Sequence, residues 1–289
     1  MKKMLFVGDS FTWGEGLELY MDKEPFITMR NQKSQDTELR VLSDYRDTEV
    51  ESWRNNHRFA AYVDGFDKYI QYNNGGTFHS LGRDANHLTS KHQFKKDDIV
   101  IIQIPPAERS FFHSNFNGED EFGGPLERFY PAFEGIFNRP IHNQLTDFYT
   151  TKDIKLVESL YKIMGYESVD EMVKDSDNMM DKLSYRNTKL FYYSYVWDLI
   201  QRFDVYFIGP YGLSNHTAFS KCDEFKEKLI PLVYNGKEYD TLHNLEYYMW
   251  VDGGESFKIE DDYSKTTNQH PTPNVHKIIG ESINKYFNG

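Results

Sequence analysis

The chain has 289 residues, enough for one large domain or two modest ones with a substantial core. Hydrophobic residues make up 39% and charged residues 27%, with 22 Phe, 21 Tyr and 4 Trp, which excludes a wholly disordered polymer. A formal net charge of -12 repels a phosphate backbone and sets nucleic acid aside as a partner, and the single cysteine, Cys222, excludes an intramolecular disulfide.

Lys2 and Lys3 precede an apolar run at 4–7 that Gly8 and Asp9 interrupt, too short for the core of a signal peptide. No later window reaches the roughly 20 apolar residues of a membrane span, so the expectation is a cytoplasmic protein with no membrane partner. The run Met4-Leu5-Phe6-Val7 ends in Gly8-Asp9-Ser10, the pattern of a buried parallel strand that delivers a loop at its C-terminal end. A helical pattern follows at 53–62, then a weaker strand at 68–72 before Asn73-Asn74-Gly75-Gly76. The stretch 98–104 is rich in isoleucine and stops at Pro105-Pro106; 204–208 stops at Gly209-Pro210. Further helical patterns cover 154–164, 189–202 and 275–287, the last with Ile279, Ile283, Tyr286 and Phe287 at helical spacing behind a proline-rich start.

Strands separated by helical segments predict an α/β fold, a three-layer αβα arrangement around a mostly parallel sheet of flavodoxin-like type. One domain spans 1–289, and the long stretches near 18–49, 110–149 and 211–264 read as insertions or lids rather than core.

In Gly8-Asp9-Ser10-Phe11-Thr12-Trp13-Gly14-Glu15-Gly16 a serine stands at a strand tip, where open α/β sheets place ligands. Such a turn exposes the hydroxyl while backbone N–H groups face the same space. The plainer alternative is a strand-to-helix turn capped by Asp9 or Ser10. At the other end, His270-Pro271-Thr272-Pro273-Asn274-Val275-His276 puts a histidine on a proline-stiffened loop before the last helix, a setting suited to a general base.

Taken together, the Gly-Asp-Ser turn after the first strand and the His-Pro loop before the last helix resemble the GDSL or SGNH hydrolases, a family of esterases, lipases, thioesterases and carbohydrate deacetylases. The resemblance implies Ser10 as nucleophile and His270 as base. It also implies an oxyanion N–H from Gly82, with Gly76 as the alternative. After the strand at 98–104 the family carries Gly-x-Asn-Asp, whereas this chain has Pro105-Pro106-Ala107-Glu108-Arg109. The second oxyanion donor would then be Arg109 or Asn86. The family's acid, three residues before the histidine, falls on Thr267, which offers no charge; Asp261 and Asp262 lie close, and Asp262 is the candidate acid. Without it, Ser10 and His270 form a dyad.

Ten histidines raise the question of metal, but no His-x-x-x-His pair, cysteine pair or compact carboxylate cluster has ligand spacing, and no phosphate loop has the required glycines. No metal or cofactor is expected. Phe111, Phe112, Phe116, Phe122, Phe129 and Tyr130 suit either a sugar or acyl pocket or a core. The expected function is a serine-dependent ester hydrolase that forms an acyl-enzyme at Ser10, acting on a small-molecule or carbohydrate ester as a short-chain esterase or O-deacetylase. The alternatives are a degenerate relative that binds a carbohydrate or polymer without cleaving it, and acyl transfer to an acceptor other than water.

Overall fold

Three short apolar runs and one more polar edge strand form the main sheet of the molecule. In the computed structural model, which describes residues 1–14, 16–28, 48–71, 78–105, 166–168, 171, 185–186, 188–211, 216, 219–251 and 271–289, β1 (Lys3–Val7) leads into α1 (Ser10–Trp13). Then α2 (Thr48–His57) and a 3-10 turn (Phe59–Tyr62) precede β2 (Asp67–Ile70), and α3 (Phe78–Lys91) precedes β3 (Ile99–Gln103). A π turn (Tyr192–Val196) enters α4 (Trp197–Arg202), which leads to β4 (Asp204–Ile208). Beyond it lie a hairpin of β5 (Leu232–Tyr234) and β6 (Lys237–Tyr239), then α5 (Leu242–Val251) and α6 (Pro273–Asn288).

The four long strands pair in parallel in the order β2-β1-β3-β4, with Met4 opposite Ile99 and Ile99 opposite Asp204. Side chains alternate between faces along a strand, so each strand feeds two cores. Met4, Phe6, Ile99, Ile101 and Ile208 join Phe59 and Val63 with Val275, Ile279 and Ile283 of α6 on one side. Leu5, Val7, Val100, Ile102, Val205 and Phe207 join Leu81 and Ala85 of α3 with Val196 and Leu199 on the other. Burial on both faces is why these strands read as continuous apolar runs rather than as alternating ones.

All four expected strands are present, each within a residue or two of its expected bounds. The helix expected at 53–62 starts earlier, at Thr48, and breaks at Arg58 into the 3-10 turn. The expected helix at 154–164 and the stretch 110–149 lie outside the described residues. The expectation for 211–264 needs correction. Between 230 and 249 this stretch supplies Ile230, Leu232, Tyr239, Leu242, Leu245 and Met249 to the core beneath α6. Its hairpin turns on Asn235 (φ 49°) and Gly236 (φ 75°), the left-handed pair that matches the twist of two antiparallel strands. The first part of 18–49 also packs, with Leu19, Met21 and Phe26 against Val50. Among the described residues no helix is long and apolar enough to cross a membrane.

A buried ion network ties α2 to the segment after α1. Arg54 grips Glu18 with two bonds, from Nε at 3.1 Å and Nη2 at 2.8 Å, and reaches Glu51 at 2.8 Å. Arg58 bonds the other Glu51 oxygen at 3.3 Å, and the Arg54 guanidinium lies 4.0 Å from the centre of the Trp13 ring. Arg54, Arg58 and Glu18 are almost wholly buried, so the charges are tolerable only as a matched set. Arg54→Leu is expected to destabilise the fold by about 3–5 kcal/mol, and Arg54→Leu with Glu18→Leu to recover much of that loss. Urea unfolding of the two variants checks this; equal stabilities would remove the charge argument.

Candidate active site

The parallel ladder of β1 ends at Val7, and the next two backbone N–H groups, of Gly8 and Asp9, are buried. Buried N–H groups need acceptors, and here both come from glutamine side chains on the flanking strands. Gly8 N–H donates to Gln71 Oε1 at 3.1 Å, from the residue just after β2. Asp9 N–H donates to Gln103 Oε1 at 3.2 Å, from the last residue of β3. Gln103 Oε1 also accepts from the Thr12 hydroxyl at 3.3 Å. The far end of each carboxamide is fixed as well: Gln103 Nε2 donates to the Ile104 carbonyl at 2.9 Å, and Gln71 Nε2 to the Asp84 carboxylate at 2.6 Å.

Gly8 is required by this packing. A Cβ built there would lie 1.9 Å from Thr12 Oγ1 and 2.7 Å from Gln103 Oε1. Asp9 then starts α1, its carboxylate accepting from Phe11 N–H at 3.0 Å and its carbonyl from Trp13 N–H at 3.1 Å. The capping alternative for this tripeptide therefore holds for Asp9. Ser10 follows as the first residue of α1; its backbone is described and its side chain is not. Phe11 packs its ring 5.3 Å from that of Tyr211, which follows β4 and the Gly209-Pro210 turn, and this brings the loop after β4 against the turn.

Where α6 begins matters for the histidine. Asn284 accepts from Asp64 N–H, Asn288 donates to the Asp64 carbonyl, and Phe287 packs on Phe66, so the end of α6 sits at the edge where β2 starts. From there the helix runs back about 24 Å over its 16 residues to its first turn at Pro273, beside Phe59, whose ring packs 5.7 Å from that of Phe6 in β1. That first turn is firmly held. Pro271 and Thr272 are buried, and Thr272 caps the helix by accepting from Val275 N–H at 3.3 Å. His276, fully buried, accepts from Phe59 N–H through Nδ1 at 3.2 Å and stacks on the Phe59 ring, which fits a structural anchor for α6.

The remaining expected site residues divide into two groups. Gly76, Arg109, Asp261, Asp262, Thr267 and His270 lie outside the described residues. Gly82 and Asn86 are described, and both lie in α3. Gly82 is the fifth residue of that helix, where backbone N–H groups join the helical ladder, and a Cβ there would meet the Tyr195 ring at 2.4 Å. Its glycine identity thus has a packing reason. Asn86 donates to the Gly82 carbonyl at 2.9 Å and accepts from Arg202 at the end of α4. Its amide ties two helices together.

Gln71 and Gln103 were not among the expected residues. In sequence each stands near the end of its strand, two residues before Asn73-Asn74 or Pro105-Pro106, a position that does not by itself distinguish a buried glutamine from a solvated one. A second unexpected grouping is His216 and His243, whose rings lie 5.6 Å apart, with His216 Nδ1 3.1 Å from Thr241 Oγ1. Among the described residues no group of three or more His, Cys, Asp or Glu side chains is arranged to hold a metal.

Two outcomes follow from this geometry. Gly8→Ala is expected to cost roughly 1–3 kcal/mol in urea unfolding, and adding Thr12→Ala to restore only part of it, because Gln103 Oε1 still intrudes. A fully stable Gly8→Ala protein would contradict the packing. Burial, and after it the neighbouring His216, hold the His243 pKa below the ordinary value of 6.5. The fold therefore favours the neutral ring, and its contribution is complete above the unfolded value and declines as pH falls below it. His243→Gln should flatten the acid side of the stability curve from about pH 6.5 downward, and an unchanged slope would count against that assignment.

No known family model, curated protein or solved structure matches this chain.

Proposed function

We propose that the chain is a serine ester hydrolase of the SGNH or GDSL type, a three-layer αβα domain with Ser10 as nucleophile and His270 as base. The observation that carries this reading is the position of the Gly8-Asp9-Ser10 turn. It leaves the central strand β1 beside β3, at the point where the strand order reverses, and open α/β sheets receive their ligands there. Support for the base comes from the first turn of α6, which is held against Phe59 and through it Phe6 of β1, and from His270 immediately preceding the buried Pro271.

In this mechanism the Ser10 hydroxyl attacks the ester carbonyl while His270 accepts its proton and then returns it to the departing alcohol. Water, activated by the same histidine, attacks the acyl-enzyme and releases the acid. The oxyanion needs donors in the turn. Gly8, Asp9 and Phe11 N–H groups are already engaged, which favours the Ser10 N–H. Gly82 and Asn86 are the weaker choices because both are occupied within α3. The substrate class is a small-molecule or carbohydrate ester with a short acyl group, and Asp262 is the candidate acid in place of Thr267.

Turnover of 4-nitrophenyl acetate tests the reading. Ser10→Ala and His270→Ala should each remove most activity, by up to about a million-fold, and the double variant should be little worse than either. Independent, multiplying losses would mean that the two side chains do not share a proton. Asp262→Asn should cost less than about a hundred-fold and Thr267→Asp should be neutral or activating. Absence of turnover in every variant, Thr267→Asp included, would favour a protein that binds its ester or carbohydrate without cleaving it.

A further inference from the structure

We infer that Gln71 and Gln103 are positioning residues for Ser10, clamping the two peptide units ahead of it from opposite flanks; this inference rests on the hydrolase reading. Both side chains are buried, with 3% and 1% of their surface exposed. Each carboxamide is held at both ends, its oxygen by a turn N–H and its nitrogen by a fixed acceptor, Asp84 for Gln71 and the Ile104 carbonyl for Gln103. Neither amide can flip without setting its NH2 group against a backbone N–H. The turn therefore cannot pivot about Gly8 or Asp9 unless a buried N–H gives up its acceptor, a loss that native structures rarely tolerate.

This clamp does more than satisfy two donors. β2 and β3 lie on either side of β1, so the turn is fixed against sideways movement in both directions within the plane of the sheet. The Thr12 hydroxyl shares the Gln103 oxygen, which extends the hold beyond Ser10 into α1. A nucleophile must sit within a fraction of an ångström of its attack geometry, and a displacement of about 1 Å can cost about a hundred-fold in rate. Gln103 is the more direct of the two because it bonds on both sides of Ser10, at Asp9 and Thr12. Gln71 acts one residue earlier and links the turn through its amide to the Asp84 carboxylate on α3.

The test uses the full chain and an alkyl fluorophosphonate, which phosphonylates an activated serine with loss of fluoride, read by mass spectrometry at Ser10 alongside ester turnover. Gln103→Met should slow labelling and lower kcat by roughly 10- to 100-fold, with KM little changed. Gln103→Glu separates positioning from simple stability. Burial raises the pKa of the introduced carboxyl, and its protonated form keeps both an acceptor for Asp9 N–H and a donor for the Ile104 carbonyl. The ratio of the Gln103→Glu rate to the wild-type rate should therefore rise as pH falls, while the same ratio for Gln103→Met stays flat. A folded Gln103→Met protein labelled at the wild-type rate would overturn the clamp and leave the hydrolase reading intact. Wild-type protein that is not labelled at Ser10 would overturn both. Should Gln103→Met fail to fold, the Gln103→Glu ratio decides alone, and a flat ratio refutes the inference.

Discussion

When a parallel strand ends inside a protein, its next N–H groups have left the sheet without reaching water. Gly8 and Asp9 meet this condition by donating to Gln71 and Gln103, and much of the architecture can be understood from that pair of bonds. The bonds require β2 and β3 both to be neighbours of β1, which is the observed order. They require strands that end level with one another, which the register supplies by pairing Phe6 with Ile70 and Val7 with Ile102. They leave no room for a side chain at position 8. A turn set in this way emerges at the one place on such a sheet where a ligand can approach between diverging connections.

Behind the turn the Arg54 network performs a complementary task. Trp13 closes α1 and lies against the Arg54 guanidinium, which in turn grips Glu18 just beyond. The segment carrying Ser10 is thus held by neutral amides at its front and by matched charges at its back. Both devices are buried and directional, so the strand tip is held by specific contacts on two sides.

The strands were readable because burial on both faces forces unbroken runs such as Ile99-Val100-Ile101-Ile102, whereas a strand with one wet face would alternate apolar with polar residues. The Gly-Asp-Ser turn and the capped start of α6 were readable because glycine, proline and threonine have few conformational uses. α3 was harder to see, since Gly75, Gly76 and Gly82 suggest turns; Gly82 instead makes room for Tyr195 from a distant part of the chain, a contact no local pattern announces. The hairpin at 232–239 did carry a local signal, Asn235-Gly236, hidden inside a stretch rich in charged and polar residues. Gln71 and Gln103 could not be assigned from sequence for a more basic reason. A glutamine at a strand end is usually solvated, and its role here depends on which strand lies next to which.

The same strand order governs how the chain reaches its fold. Lys3 pairs with Asp67, Met4 with Ile99 and Ile99 with Asp204, so every pairing in the main sheet closes a loop of about sixty residues or more. Unlike the β5–β6 hairpin, no pair in this sheet can nucleate locally, and the loss of chain entropy comes before the hydrogen bonds that compensate it. During synthesis β1 emerges before its partners, yet the four described strands are all present only once residue 208 has been made, and until then apolar strands lack a partner on at least one edge. Such intermediates are prone to pair with one another, and mutual repulsion between chains of net charge -12 slows that encounter. The net charge thus also keeps apart chains whose sheet is still waiting for β4.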